Sequence, residues 1–245
     1  MRQEFRVFRA LWLTFQVWAR NIVPITLLAA IVYAPVFLWI ATYDLDSATG
    51  VDQLVDSLIT YPVYGLTALS MLVAPMLTYR IVQDLNGARV SLGASVMHGL
   101  RGLLPAIIVG GITTGIQFLP VGGIVGAILT CVWFVAAPAA VAEKLGPFAA
   151  LQRSAVLTSG RRLGIFGLNF LIGLVFLALV FAWIVPSLES AEESFLSSIR
   201  ANAFVLVGAL TLLQLLQGLV AAVSYVLLRQ DKDGVSHEEL ARVFE

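Results

Sequence analysis

Five stretches of this chain contain no Asp, Glu, Lys or Arg: residues 21–43, 57–79, 102–142, 163–188 and 201–228. Apolar runs of that length are read as membrane spans, because a helix satisfies its own backbone polar groups where no water can. Charged residues are only 12% of the 245, against ~25% in an ordinary soluble domain, and mean hydropathy is +0.91. A hydrocarbon core of ~30 Å takes about 20 residues at ~1.5 Å each, so the four shorter stretches each predict one span. As one helix, 102–142 would run to ~60 Å, twice the core. It must fold back, and Leu119-Pro120-Val121-Gly122-Gly123 supplies the turn.

The predicted fold class is therefore all-α, a polytopic membrane protein with six transmembrane helices in a single transmembrane domain over 1–245. The spans fall at about 21–43, 58–79, 103–119, 124–142, 163–187 and 201–228, with 1–20 as an interfacial helix and 229–245 as a tail.

Basic residues set the orientation, because short positive loops are retained on the cytoplasmic side. Of fifteen Lys and Arg, only Arg200 falls in a loop assigned outside, so both termini are expected in the cytoplasm of a bacterial inner membrane. Asp44, Asp46, Asp52, Asp56, Glu189, Glu192 and Glu193 fall outside. Trp39, Tyr43, Tyr61, Tyr64 and Trp183 then lie near the outer interface, and Trp18, Tyr79 and Tyr225 near the inner one. Tyr33 and Trp133 lie mid-span, where burial against a neighbouring helix is expected. No cleavable signal peptide is expected, since charges run through the first twenty residues.

At ~100° per residue, residues 2–20 place Arg2, Arg6, Arg9 and Arg20 in one arc opposite Phe5, Phe8, Leu11, Trp12, Phe15 and Trp18. Such a helix suits the lipid headgroup boundary, or packs its aromatic face on the inner helix ends. Residues 90–101 predict a second amphipathic helix, with Leu92, Val96, Met97 and Leu100 opposite Ser91, Ser95, His98 and Arg101. Residues 147–159 predict a third, opened by Pro147, with Phe148, Leu151 and Ala155 on one stripe. Each leads into an outward span with arginine at the junction, so three pseudo-repeated hairpins are an expectation of the pattern. In the tail, Ser236 with Glu239 and Val235 with Leu240 predict a short capped helix from about His237.

No ionisable side chain lies within an expected span, which removes support for proton relays, ion-coupled pumps and intramembrane metalloproteases. P-loop, nucleophile-elbow, zincin and dinucleotide motifs are absent, so no catalytic residue is assigned. One cysteine, Cys131, and two histidines leave no expected metal and no cofactor. The candidate intramembrane polar cluster is Gln117, Asn169, Gln214 and Gln217, which either lines a hydrated cavity or bonds across helices. The pairs Gly111 with Gly115 and Gly122 with Gly126 predict close helix packing. Pro35, Pro75 and Pro138 predict kinks, which either open an inner vestibule or improve packing.

The stretch from Trp133 through Pro138, Glu143, Gly146-Pro147, Ala150-Leu151, Arg153-Ser154, Leu157-Thr158 and Gly160-Arg161-Arg162 carries a resemblance. It resembles the membrane domain found ahead of some bacterial glycerophosphoryl diester phosphodiesterases and in related six-helix integral membrane proteins. The segment Tyr79-Arg80 to Gly87, with Ser91, Arg101 and Pro105, is similar to that family's first inner loop. The resemblance implies a six-helix inner-membrane module whose signature loop holds Arg153, Ser154, Gly160, Arg161 and Arg162. The catalytic barrel has no counterpart in these residues, so hydrolase activity does not carry over.

The candidate lipid-phosphate contacts are Arg2, Arg6, Arg9, Arg20, Arg101, Arg153, Ser154, Arg161 and Arg162. The leading expectation is a non-enzymatic protein that organises anionic lipid or partner membrane proteins at the cytoplasmic face. The alternative is a transporter or channel for a lipid-like or neutral solute. Expected partners are membrane phospholipids and either a second copy of the chain or another membrane protein. Zero net charge gives no argument for nucleic acid.

Overall fold

The structure is a computed structural model that describes residues 7–44, 52–53, 56–85, 87–88, 90–117, 122–189 and 192–234; 116–117, 122–124, 180, 183–189 and 192–202 are described as backbone. Ten α-helices follow one another among these residues: α1 Val7–Arg20, α2 Ile22–Thr42, α3 Tyr61–Leu85, α4 Leu92–Arg101, α5 Leu103–Gln117, α6 Gly122–Val132, α7 Ala136–Ala142, α8 Pro147–Leu157, α9 Arg162–Glu189 and α10 Glu192–Asp233. A π-helical turn, Asp56–Thr60, leads into α3. No strand occurs among the described residues.

Among the described residues, five helical stretches are long and apolar enough to cross a membrane: Ile22–Thr42, Asp56–Leu85, Val125–Ala142, Arg162–Leu179 and Ala203–Asp233. A sixth is reached only if Leu92–Arg101 and Leu103–Gly115, bent by 66°, count as one span. The described part of α5, 15 residues to Gln117, amounts to about 22 Å of helix. α10 extends beyond both ends of the apolar run 201–228. It ends where Gly234 adopts φ +67°, the left-handed conformation that closes helices.

α3 is the hub, packed against α2, α4, α5, α7 and α10, while α10 also holds α1, α2 and α9. The main core runs through α1, α2, α3, α9 and α10; a smaller one joins Val109 of α5, Ala136 and Ala140 of α7, and Ala150 and Leu151 of α8. Small residues let backbones approach in that second core. Closest is Gly99 of α4, where an added Cβ would lie 2.8 Å from the Met76 Cα. Gly111 and Gly115 do not pack as expected, since nothing lies within 4 Å of a Cβ built there. The contact belongs to Gly110, one residue earlier, which faces Met71. A shift of one residue turns the helix face by ~100°.

The fourth expected span, 124–142, is broken between α6 and α7 at Trp133–Val135. Pro138 brings no N–H to the ladder, and Ala136 donates to Trp133 instead of to Val132. The freed Val132 carbonyl accepts from Ser154 Oγ at 2.9 Å and Thr158 Oγ1 at 3.1 Å, and Val135 N–H donates to Ser154 Oγ at 3.3 Å. Two hydroxyls of the α8 segment thus repair a break in a neighbouring span. Pro75 and Pro138 are both buried, and their neighbours Ala74, Leu77 and Ala137 line a cavity.

Candidate functional site

Two polar regions stand out, at opposite ends of α3. The first is ion-paired. Asn21, at the α1–α2 junction, receives the Arg80 Nε–H on Oδ1 at 2.9 Å and donates from Nδ2 to Asp84 Oδ1 at 2.9 Å. Arg80 also donates to Val90 O at 3.2 Å and to Ser95 Oγ at 3.5 Å, which ties α3 to α4. His98 stacks on Tyr79 with ring centroids 4.3 Å apart.

On the other side of the same end, Arg153 donates to both Glu143 oxygens at 3.0 and 2.9 Å and pairs with Asp233. Tyr225 donates to Glu143 Oε1 at 2.9 Å, and Arg229 donates to the Tyr225 hydroxyl at 3.1 Å. Arg161 pairs with Asp231 at 3.2 Å, and Lys232 donates to Ser159 at 3.1 Å. Burial pulls the Arg153 guanidinium down from its ordinary value, but hydrogen bonds to Asp233 and Glu143 and their charges outweigh it and hold it above that value. The positive-φ Gly160 makes the turn that brings Arg161 back toward α10.

These contacts locate the expected phosphate-binding residues. Arg20 pairs with Asp84 at 3.3 Å while remaining largely exposed. Arg153 and Arg161 face carboxylates, and Ser154 is fully buried. Arg162 is exposed and donates to Ala155 O at 3.5 Å. Arg9 and the exposed Arg101 have no partner among the described residues. Arg2 and Arg6 lie outside the described residues, as does the tail helix expected near His237. None of Asn21, Arg80, Glu143, Asp231 and Asp233 was assigned as a site residue from sequence, although Arg80 and Glu143 fall in the stretches that carry the resemblance. The signal was present: Glu143, Asp231 and Asp233 sit in the same segments as the arginines they pair with.

The second region is a cavity of about 860 Å³ between α2, α3, α5, α6, α7 and α10. Its polar lining is hydroxyl and amide: Tyr64, Thr67 and Ser70 at three-residue spacing on α3, Thr113 and Thr114 on α5, and Gln214 and Gln217 on α10. Thr67, Ser70 and Thr113 donate to carbonyls of their own helices, so they present acceptor lone pairs inward. The Gln214 and Gln217 amides have no hydrogen-bond partner among the described residues. The same two glutamines line a second cavity of about 270 Å³, together with Asn169 of α9. Among the described residues, no Asp, Glu, Lys, Arg or His lines either one.

Asn169, Gln214 and Gln217 are thus brought together, with Asn169 Nδ2 donating to Ile165 O at 3.0 Å. Gln117 ends α5, and its side chain lies outside the described residues. Trp133 lines the larger cavity, as does Tyr33, which is only 1% exposed.

Toward the ion-paired end the larger cavity reaches Leu77 on α3 and Ala221 on α10. Beyond these, every residue from Thr78 to Gln83 and from Ala222 to Leu228 is buried. Among the described residues no group of three or more His, Cys, Asp or Glu is placed to hold a metal ion. No protein-family model, curated protein or solved structure matches the chain.

Proposed function

We propose that this chain is a non-enzymatic multipass protein of the bacterial cytoplasmic membrane that holds an uncharged polar or amphipathic molecule in its intramembrane cavity, as part of a carrier or channel path. The observation that carries this reading is the pair Gln214 and Gln217: two neutral amides without hydrogen-bond partners among the described residues, lining both cavities. Gln214 is half-buried and Gln217 exposed on the cavity wall; within a membrane interior an amide left unpaired there is unfavourable by about 1–3 kcal/mol unless water or a ligand bonds to it. Lack of a lining charge favours a neutral occupant, since an ion would be left uncompensated there.

With the arginine-rich end in the cytoplasm, the cavity lies toward the outer half and is closed on the inner side. The ion-paired end then acts as a structural seal. Positive residues would retain it inside, while its carboxylates hold α8 and α10 together.

The short helices support the reading of three related hairpins. Thr14, Ser95 and Ser154 are each fully buried, and each lies eight residues before the next long helix begins, at Ile22, Leu103 and Arg162. A second role, contact with anionic lipid, is favoured at Arg9, Arg101 and Arg162. These have no carboxylate partner among the described residues and stand beside exposed Phe8, Trp12, Leu100 and Leu163.

The test uses a Cys131→Ala background with Thr67→Cys, Thr114→Cys or Gln217→Cys in intact cells. A neutral, membrane-impermeant maleimide should label all three from the periplasm. Failure to label any of them, or labelling only after the cytoplasm is exposed, contradicts the reading.

A further inference from the structure

The smaller cavity differs from the larger in what encloses it. α3 and α9 both pack on α10 but barely meet each other, and the cavity is the crevice between them with α10 as its floor. α9 is the least enclosed of the long helices. Only 11% of its Arg162–Leu179 segment is buried, and Phe170, Leu174, Leu177 and Phe181 are exposed. In a membrane, that surface meets hydrocarbon. The crevice walls, Val63, Leu66, Ile172 and Phe176, are apolar, while Asn169, Gln214 and Gln217 are amides.

An apolar slot open to hydrocarbon selects for a chain. Amides beyond it select for groups that both donate and accept hydrogen bonds without charge. A water-soluble neutral solute would use the amides but not the slot. A phospholipid would bring a phosphate to a place where, among the described residues, no Lys, Arg or His lines the wall. A diacylglycerol-like lipid has both features, with one hydroxyl, two ester carbonyls and two chains.

Resting on the cavity reading above, we propose that the α3–α9 crevice is a lateral portal for a neutral glycerolipid. Its acyl chain lies between Leu66 and Phe176, and its hydroxyl and ester groups reach Gln214 and Gln217. Gln214 and Gln217 line both cavities, so a lipid hydroxyl held there stands at the boundary of the larger one.

The experiment places the full chain in nanodiscs of phosphatidylglycerol with a small fraction of diacylglycerol carrying a diazirine in its acyl chain. After photolysis, adducts should concentrate on residues 169–176 and 210–217, at least fivefold over the exposed reference positions Leu38 and Leu163. Gln214→Leu with Gln217→Leu should reduce crevice adducts at least fivefold. Gly173→Trp, which fills the slot and leaves the amides intact, should do the same, so the test does not depend on one variant folding. Adducts spread evenly over exposed apolar positions overturn the inference, as does equal crevice labelling by diazirine phosphatidylglycerol. In either case periplasmic labelling of Thr114→Cys would leave the cavity reading standing; loss of that labelling would remove the cavity reading itself.

Discussion

Along α3 the same helix meets two different solutions to placing polar groups in an apolar solvent. From Pro75 to Gln83 every residue is buried, and Arg80 is answered by Asn21, Val90 and Ser95. Two turns away, Tyr64, Thr67 and Ser70 face a cavity of about 860 Å³, across which Gln214 and Gln217 have no partner among the described residues. At the first end polar groups close on each other, which fixes helix positions. At the second they are left available, which is the condition for holding something else. The difference teaches where rigidity and where occupancy are to be sought.

That contrast can be broken by substitution. The largest effect is expected for Gly99→Ala, because the Met76 backbone stands 2.8 Å from the new Cβ and α4 must move off α3. Thermal unfolding in detergent should show a loss of about 1–3 kcal/mol or more. Gly111→Ala, with nothing within 4 Å, should stay within about 0.5 kcal/mol. Equal losses would erase the distinction. Next in size, Ser154→Ala combined with Thr158→Val leaves the Val132 carbonyl without its hydroxyl donors and should cost about 1–3 kcal/mol. The matched Thr113→Val on the cavity side should cost far less, since its donor goes only to its own helix. The smallest effect is a gain. Lys144 sits at φ +53° after α7, so Lys144→Gly should stabilise by at most about 1 kcal/mol, read in the same assay.

Much of the architecture was legible because ionised groups are so costly in hydrocarbon that their absence marks spans directly. The reversal inside 102–142 followed from length alone, and α5 and α6 do pack on each other. The broken span was not legible. Pro138 announced a disruption, but its site, Trp133–Val135, is settled by hydroxyls of α8 that arrive from another segment. The bend of 66° before α5 falls where the expected amphipathic helix over 90–101 meets the expected span from 103, at Gly102, where an added Cβ would stand 3.0 Å from Val141.

The short helices show the same limit. Their buried faces are Ala10, Thr14 and Val17, then Ser95 and Gly99, then Ala150, Leu151, Ser154 and Leu157, with Phe8, Met97 and Phe148 turned outward. A hydrophobicity pattern tuned to soluble proteins assigns the inward face to the large apolar residues, but in a bilayer they turn to lipid and small or hydroxyl residues pack. For the site, the three-residue spacing of Gln214 and Gln217 gave their common face, and only the tertiary arrangement placed that face on a cavity.

Hydroxyl-radical footprinting of the chain in nanodiscs tests the account most directly, because native side chains report water at both ends of α3. Tyr64, Met71 and Trp133 line the cavity, whereas Met76 is 6% exposed and Tyr225 is 0% exposed at the ion-paired end. The account predicts oxidation of the first three at least tenfold faster than of the last two. Comparable protection of all five, or faster oxidation of Met76 and Tyr225, would contradict it.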